Sequence, residues 1–156
     1  MKNKHIFIIF VILGIDQVTK SIIDSSMSLY QQIPIIPGFF NITYLQNTGA
    51  AWSMFEGKMG FFYLVSILAL IAMFLFYFNS NENEKWTRLA LAMMIAGTLG
   101  NFIDRIVFHH VRDFLDFVIF GYDFPVFNVA DMALCIGVFI IIVDVLTESY
   151  RMVHKR

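Results

Sequence analysis

Four long apolar stretches constrain this chain more than any other feature of its sequence. They cover about 4–23, 59–78, 87–106 and 127–146, and a helix of about 20 such residues spans the hydrocarbon core of a bilayer. Hydrophobic residues make up 58% of the chain and charged residues only 15%, against about a quarter charged in a soluble domain. The sequence therefore predicts an all-α integral membrane protein with four transmembrane helices.

The first stretch also has the basic start and apolar core of a cleavable signal peptide. No cleavage site of small residues follows it, and apolar residues resume at Val18, Ile22 and Ile23. We therefore interpret 4–23 as a transmembrane helix that is retained.

Two segments, 24–58 and 107–126, are expected to lie outside the hydrocarbon. Residues 39–45 alternate between polar residues and β-branched or aromatic ones, which is typical of a strand. The segment 107–126 is too polar to span and too apolar for a free loop, so we expect it to lie in the membrane interface. We interpret the whole chain, 1–156, as one membrane-embedded domain with a small β-containing segment.

Lysine and arginine residues predict the orientation, because they are enriched in cytoplasmic loops. Seven lie on the side of the two termini and the middle loop: Lys2, Lys4, Lys85, Arg88, Arg151, Lys155 and Arg156. Four lie on the other side: Lys20, Lys58, Arg105 and Arg112. Both termini are therefore predicted to be cytoplasmic, and 24–58 and 107–126 to lie at the outer face.

Polar residues lie in or beside the first and third stretches. Asp16 and Lys20 are four residues apart and share a helix face, so we favour a structural ion pair over direct catalysis. Gly97, Asn101 and Arg105 form one stripe of the third stretch. Snorkelling at a helix end explains Arg105, but not Asn101 and Asp104 near it.

The fourth stretch is entered through Asn128 and Asp131, which share a helix face. Asn128 suits the N-cap position of a helix. Asp131 is one turn deeper, where we expect that a cap no longer explains it. A carboxylate in such apolar surroundings marks a functional site by default.

Two carboxylates held close together share one proton, as in aspartic proteases. The ionised partner takes a proton from a water that attacks an amide carbonyl, and the protonated partner assists the oxyanion or the leaving nitrogen. Five aspartates are candidates: Asp104, Asp113, Asp116, Asp123 and Asp131. Spacing does not fix the pair, although Asp131 is the strongest candidate, and we interpret Asp116 and Asp123 as solvated loop charges.

Several other kinds of site are disfavoured. Cys135 is the only cysteine, which excludes an intramolecular disulfide and a cysteine-rich metal site, and its apolar context predicts a buried thiol. The histidines show no helical metal spacing, so we expect no metal and no cofactor. The formal net charge of −1 gives no indication of nucleic-acid binding.

Two other functional classes remain open for the polar cluster. A proton or ion carrier would use the same carboxylates, but we would expect its acidic groups to be spread through the depth of the membrane. A non-catalytic assembly factor would use the cluster to join helices, and neutralising its charges would then disrupt folding.

Five sequence blocks resemble those of the bacterial prolipoprotein signal peptidases, also called signal peptidase II. In order along the chain they read DQVTK from Asp16, NTGAAW from Asn47, GTLGNFIDR from Gly97, VRDF from Val111 and FNVAD from Phe127. Each block is weak alone, but the five in this order are highly specific.

The resemblance implies an aspartyl endopeptidase of the bacterial cytoplasmic membrane, with its active site toward the outer face. Its expected partners are membrane lipid and prolipoproteins bearing an S-diacylglyceryl cysteine, before which it cuts to remove the signal peptide. Globomycin-type cyclic peptides are the expected inhibitors.

The resemblance also implies roles for individual residues. Asp113 and Asp131 match the catalytic dyad. The substrate-binding residues are then Asn47, Gly49, Asn101, Arg105 and Asn128, and the supporting ones are Asp16, Lys20, Gly97 and Asp104. Arg112 stands where the family commonly has an apolar residue, and we expect its side chain to point away from the dyad.

Overall fold

Four long helices and a small antiparallel sheet form the part of the chain that the computed structural model describes, namely residues 2–49 and 57–153, with the side chains of 4–49 and 57–147. The elements in chain order are α1 (Lys2–Ser26), β1 (Gln32–Ile36), β2 (Phe40–Asn47), α2 (Met59–Asn79), α3 (Lys85–Phe108), β3 (Val111–Ile119), β4 (Tyr122–Asp123) and α4 (Val129–Val153).

All four helices are long and apolar enough to cross a membrane, which confirms the predicted fold class. The candidate spans are Lys4–Ser26, Met59–Asn79, Lys85–Phe108 and Val129–Thr147. Large apolar side chains such as Phe7, Phe76 and Phe139 are exposed on their outer surfaces. In a bilayer these surfaces face lipid, so their exposure is expected.

Helix α3 is the central helix, because it packs against each of the other three. Leu91 and Ile95 of α3 form a buried cluster with Leu70, Met73 and Tyr77 of α2. Small residues on another side of α3 allow α1 and α4 to pack closely against it. A Cβ atom at Gly100 would lie 2.5 Å from Oδ2 of Asp16, and one at Gly97 would overlap the carbonyl oxygen of Ala130.

The sheet has the order β1-β2-β3-β4, with antiparallel neighbours throughout. Strand β2 pairs with β3 from Asn47 opposite Val111 to Phe40 opposite Phe117, with a register shift between Ile42 and Leu45. Pairing with β2 gives strand β3 its partners for main-chain hydrogen bonds.

The strands within 107–126 were not predicted, since most of this segment forms β3 and β4. The omission has a simple cause. Arg112, Phe114 and Asp116 lie on one face of β3 and Val111, Asp113 and Leu115 on the other. Each face mixes apolar and charged residues, so the two-residue period of a strand is not visible as an alternation of polarity.

Candidate active site

The first turn of α4 is closed by Asn128 and Asp131. The N–H of Asp131 donates to Asn128 Oδ1 at 3.0 Å, and the N–H of Asn128 donates to Asp131 Oδ2 at 3.2 Å. This is a capping box. Asn128 is a helix cap as predicted, but our expectation that no cap explains Asp131 was wrong, because the second half of the box uses its carboxylate.

Strand β3 brings Asp113 to this turn. Its carboxylate accepts hydrogen bonds from Asn47 Nδ2 at 2.9 Å and from Asn128 Nδ2 at 2.6 Å, and the residue is only 2% exposed. Burial, and next the negative charge of Asp131, raise the pKa of Asp113 to about 7. Asp113 and Asp131, the aspartate pair, therefore interact electrostatically.

Asn101 and Lys20 lie behind the aspartate pair. Asn101 Nδ2 donates to Asp131 Oδ1 at 2.7 Å, and its Oδ1 accepts from Lys20 Nζ at 3.0 Å and from Asn128 Nδ2 at 3.1 Å. Two donors on the amide oxygen fix the orientation of the amide. Lys20 therefore acts on Asp131 through Asn101.

A cavity of about 650 Å³ opens beside the aspartate pair. The polar part of its lining includes both aspartates with Asn47, Gly49, Asn101 and Arg105, and most of its wall is apolar. An apolar cavity with a few convergent polar groups is the usual form of a binding site. Asn128 does not line it, but is fully buried behind the aspartates.

The family model for Signal peptidase (SPase) II matches residues 8–147 of the chain, a range that contains every residue of this site described above. The chain belongs to the signal peptidase II family.

Relatives agree over nearly the whole length. The chain is 47% identical to a lipoprotein signal peptidase of Staphylococcus haemolyticus over 154 residues, 96% of this chain and 98% of the relative. It is 44% identical to one of Staphylococcus aureus over 147 residues, 94% of this chain and 90% of the relative.

Two solved structures of bacterial membrane enzymes share the fold. One, at 2.3 Å resolution, has a TM-score of 0.90 and 43% identity, and the match covers 94% of this chain and 90% of that one. The other, at 1.9 Å, has a TM-score of 0.85 and 44% identity, with 92% and 93% covered. The protein is thus a multi-pass bacterial membrane protein of the signal peptidase II family.

Asp16 and Lys20 form the expected ion pair at 2.9 Å, with both side chains fully buried. Asp16 has a second contact that spacing did not predict. Its Oδ1 accepts the N–H of Ala130 at 2.9 Å, one of the free donors in the first turn of α4. This signal peptidase II chain therefore fixes the start of α4 from α1 as well as through its own cap.

The turn at Asn47–Gly49 joins the sheet to the cavity. Asn47 Oδ1 accepts the N–H of Gly49 at 2.8 Å, so Asn47 is a turn residue and a partner of Asp113 at the same time. The Gly49 carbonyl oxygen accepts from Arg105 Nη2 at 3.2 Å. Ala50, Ala51 and Trp52 of the same block lie outside the described residues.

Arg105 and Asp104 are adjacent but turn to different partners. The Arg105 guanidinium lies over the Phe62 ring, 4.6 Å from its centroid, and its buried Nε has no hydrogen-bond partner. Asp104 pairs with Arg112 at 2.8 Å and with Lys20 at 3.5 Å. Consecutive helix residues point about 100° apart, which separates the two.

Arg112 points away from the aspartate pair, as expected. It donates to Asp104 and to α1, where Gln17 Oε1 accepts from Nη2 at 3.2 Å and Ser21 Oγ from Nη1 at 3.5 Å. Sequence analysis did not identify Gln17 as part of the site, although it lies in the DQVTK block directly after Asp16.

Asp116 is not the solvated charge that the sequence indicated. It is 7% exposed and accepts from Thr43 Oγ1 at 2.6 Å, Gln32 Nε2 at 2.9 Å and Asn41 Nδ2 at 3.3 Å. Three neutral donors from β1 and β2 thus hold the carboxylate in the sheet. Asp123 is exposed.

Cys135 is also placed differently from expectation. Its side chain is exposed and lines the cavity, one turn after Asp131 on α4. An apolar run in sequence does not distinguish a core position from a cavity wall, which explains the wrong prediction of a buried thiol. The described residues contain no group of three or more histidine, cysteine and acidic side chains suited to a metal ion.

Proposed function

We propose that the protein is a membrane aspartyl endopeptidase that removes signal peptides from prolipoproteins, cutting before a cysteine that carries an S-diacylglyceryl group. Membership of the signal peptidase II family implies a protease. The observation that carries the aspartyl mechanism is the convergence of Asp113 and Asp131 at the wall of one cavity, where Asn128 donates hydrogen bonds to both carboxylates.

In the proposed mechanism the aspartate pair holds one proton at neutral pH. The ionised carboxylate accepts a proton from a water molecule, and the resulting hydroxide adds to the carbonyl carbon of the scissile amide. The protonated carboxylate donates to the developing oxyanion, which gives a tetrahedral diol. One hydroxyl then returns its proton to the pair as the carbonyl re-forms, the C–N bond breaks, and the pair protonates the leaving nitrogen. Asn47, Asn101 and Asn128 hold the carboxylates in place through neutral hydrogen bonds.

The cavity accounts for the proposed substrate. Its mostly apolar wall suits the diacylglyceryl chains of the substrate cysteine. Gly49 and Arg105 line its polar part, where the Arg105 guanidinium is proposed to contact the main chain of the substrate. Globomycin-type cyclic peptides are proposed to occupy the same cavity. Asn128 supports the aspartates in this scheme.

We propose one membrane-embedded domain in the bacterial cytoplasmic membrane, with both termini cytoplasmic. Arg105 is near the end of α3 and Asp131 near the start of α4, so both lie on the side of the membrane that carries the sheet. The distribution of lysine and arginine makes this the outer side. The aspartate pair then meets a lipid-anchored substrate in the outer leaflet.

The test is cleavage of a diacylglyceryl-modified prolipoprotein by purified protein in detergent or nanodiscs. We expect Asp113→Asn and Asp131→Asn each to lower the rate by at least about 10³-fold while the proteins stay folded. Asp123→Asn, at an exposed aspartate, is the matched control and should cleave at the wild-type rate. Near-wild-type cleavage by either site variant would remove that aspartate from the mechanism.

A further inference from the structure

Arg112 connects the strand that carries Asp113 to helix α3. Its N–H donates to Asp104 Oδ2 at 3.0 Å, its Nε to the same oxygen at 3.2 Å, and its Nη2 to Oδ1 at 2.8 Å. The guanidinium lies 4.3 Å from the centroid of the Phe108 ring. Arg112 is therefore held by its main chain and its side chain together, at a residue that is 2% exposed.

This contact determines the direction of Asp113. Neighbouring residues of a strand point to opposite faces, so Arg112 facing Asp104 and α1 turns Asp113 toward the start of α4. The pairing of β3 with β2 is irregular here, because the register shifts between Ile42 and Leu45, and Leu45 is the partner of Asp113. Since a bulge weakens the ladder locally, the Arg112 contact adds an anchor on α3 to the one that Asn47 of β2 provides for Asp113.

The same contact affects Asp131 through Lys20. Arg112 binds both oxygens of Asp104, and Lys20 Nζ stays 3.5 Å from that carboxylate. Lys20 is closer to Asp16 at 2.9 Å and to Asn101 Oδ1 at 3.0 Å. If Arg112 were absent, Asp104 would be a buried carboxylate with Lys20 as its remaining cation, and Lys20 would be drawn away from Asn101.

We propose that Arg112 is a positioning residue for the aspartate pair, which fixes Asp113 through the start of β3 and keeps Lys20 available to Asn101 and Asp131. The inference rests on the proposed function. It concerns geometry within the pair, so its expected signature is a lower kcat with little change in KM, because misplacement of reacting groups by about 1 Å can cost about 10²-fold in rate.

The experiment compares kcat and KM for a diacylglyceryl-modified prolipoprotein, and thermal unfolding, in full-length wild type and three variants. We expect Arg112→Met to lower kcat by about 10- to 100-fold with KM within about threefold. Arg112→Lys should recover part of kcat, because an ammonium pairs with Asp104 but does not reproduce the two-oxygen contact. Arg88→Met is the matched control: it removes a guanidinium that is also 2% exposed, about 24 Å along α3 from Asp104, and should leave kcat within about twofold.

If Arg112→Met alone does not fold, the double variant Arg112→Met with Asp104→Asn still tests the proposal. Removing both charges eliminates the unpaired buried carboxylate, so the double variant should regain stability but keep the low kcat. Wild-type kcat in Arg112→Met or in the double variant would overturn the inference, because Arg112 would then only neutralise Asp104. Failure of the proposed function would look different, since Asp113→Asn and Asp131→Asn would then retain cleavage.

Discussion

Asn128 binds the main chain of Asp131 with its side-chain oxygen, at 3.0 Å, and the carboxylate of Asp113 with its side-chain nitrogen, at 2.6 Å. One amide therefore starts helix α4 and joins the two aspartates. The side-chain oxygen caps the helix and the side-chain nitrogen binds Asp113. A substitution that keeps only the oxygen therefore separates these two functions.

Asn128→Ser keeps a cap and removes the amide nitrogen, whereas Asn128→Ala removes both. Serine is nearly as good an N-cap as asparagine, and alanine costs about 1–2 kcal/mol. Both variants lose the buried hydrogen bonds of the amide nitrogen, so we expect thermal unfolding in detergent to show a loss for both and a larger loss for the alanine variant. Both should cleave substrate about 10- to 100-fold more slowly, and wild-type cleavage by the serine variant would contradict a link from Asn128 to Asp113.

Cleavage should depend on pH in the neutral range. The pKa of Asp113 is raised to about 7 by burial and by the charge of Asp131, so the pair loses its shared proton as the pH rises through that value. We expect kcat/KM to fall above about pH 7 and to approach tenfold less per pH unit. A profile that stays flat from pH 6 to 9, with substrate and detergent unchanged, would rule out a titrating acid of this pKa.

Stability should depend on the same proton with a definite sign. Asp113 has a pKa of about 7 when folded and about 3.9 when unfolded, so the folded state binds more protons between these values. The stability of the wild type therefore falls as the pH rises from about 4 through 7.

Asp113→Asn lacks this proton, so its unfolding temperature should exceed that of the wild type at pH 8, and the difference should shrink toward pH 5. Asp123→Asn at the exposed strand β4 is the control and should follow the wild type. The predicted direction would be contradicted if the unfolding temperature of Asp113→Asn, measured relative to wild type, were lower at pH 8 than at pH 5.

Gly97 permits the close approach of α3 and α4. A Cβ atom at this position would overlap the Ala130 carbonyl oxygen and lie 2.9 Å from Leu134 Cγ. We expect Gly97→Ala to destabilise the protein by about 1–3 kcal/mol and to displace the first turn of α4 enough to reduce cleavage.

Gly14→Ala is the matched control for Gly97→Ala. Gly14 also lies in a membrane helix, and its Cβ would meet nothing within 4 Å. Its substitution should be neutral or stabilise by up to about 1 kcal/mol. Equal unfolding temperatures for the two alanine variants would show that the interface between α3 and α4 adjusts freely.

The sequence predicts the helices better than the sheet, for a physical reason. A bilayer demands an uninterrupted apolar stretch from every spanning helix, so Met59–Asn79 is recognisable without knowledge of any partner. Strand β3 satisfies its main chain with a partner that lies 64 residues earlier at Asn47 opposite Val111 and 77 residues earlier at Phe40 opposite Phe117. The charged side chains of β3 are buried in the folded protein, and their burial cannot be recognised from the local sequence.

The same distinction holds at the candidate site. The ion pair of Asp16 and Lys20 follows from helix spacing alone. The contact of Asp104 with Arg112 does not, because it depends on the angle at which β3 leaves α3 after His109 and His110. Alternation along the strand gives the direction of Arg112 but not its partner. Hydrogen bonds that join distant segments, such as Asn101 to Asp131, need the folded structure.

The ion pair within α1 has a consequence for biosynthesis. Helices are made in chain order, so α1 enters the membrane before α3 exists to receive its charges. An isolated aspartate or lysine at that depth would oppose insertion by about 2.5–3.5 kcal/mol. Because Asp16 and Lys20 are one turn apart on the same helix, they neutralise each other within the nascent segment. Asp16 and Lys20, which lie behind the aspartate pair in the folded protein, therefore enter the bilayer as a neutral ion pair.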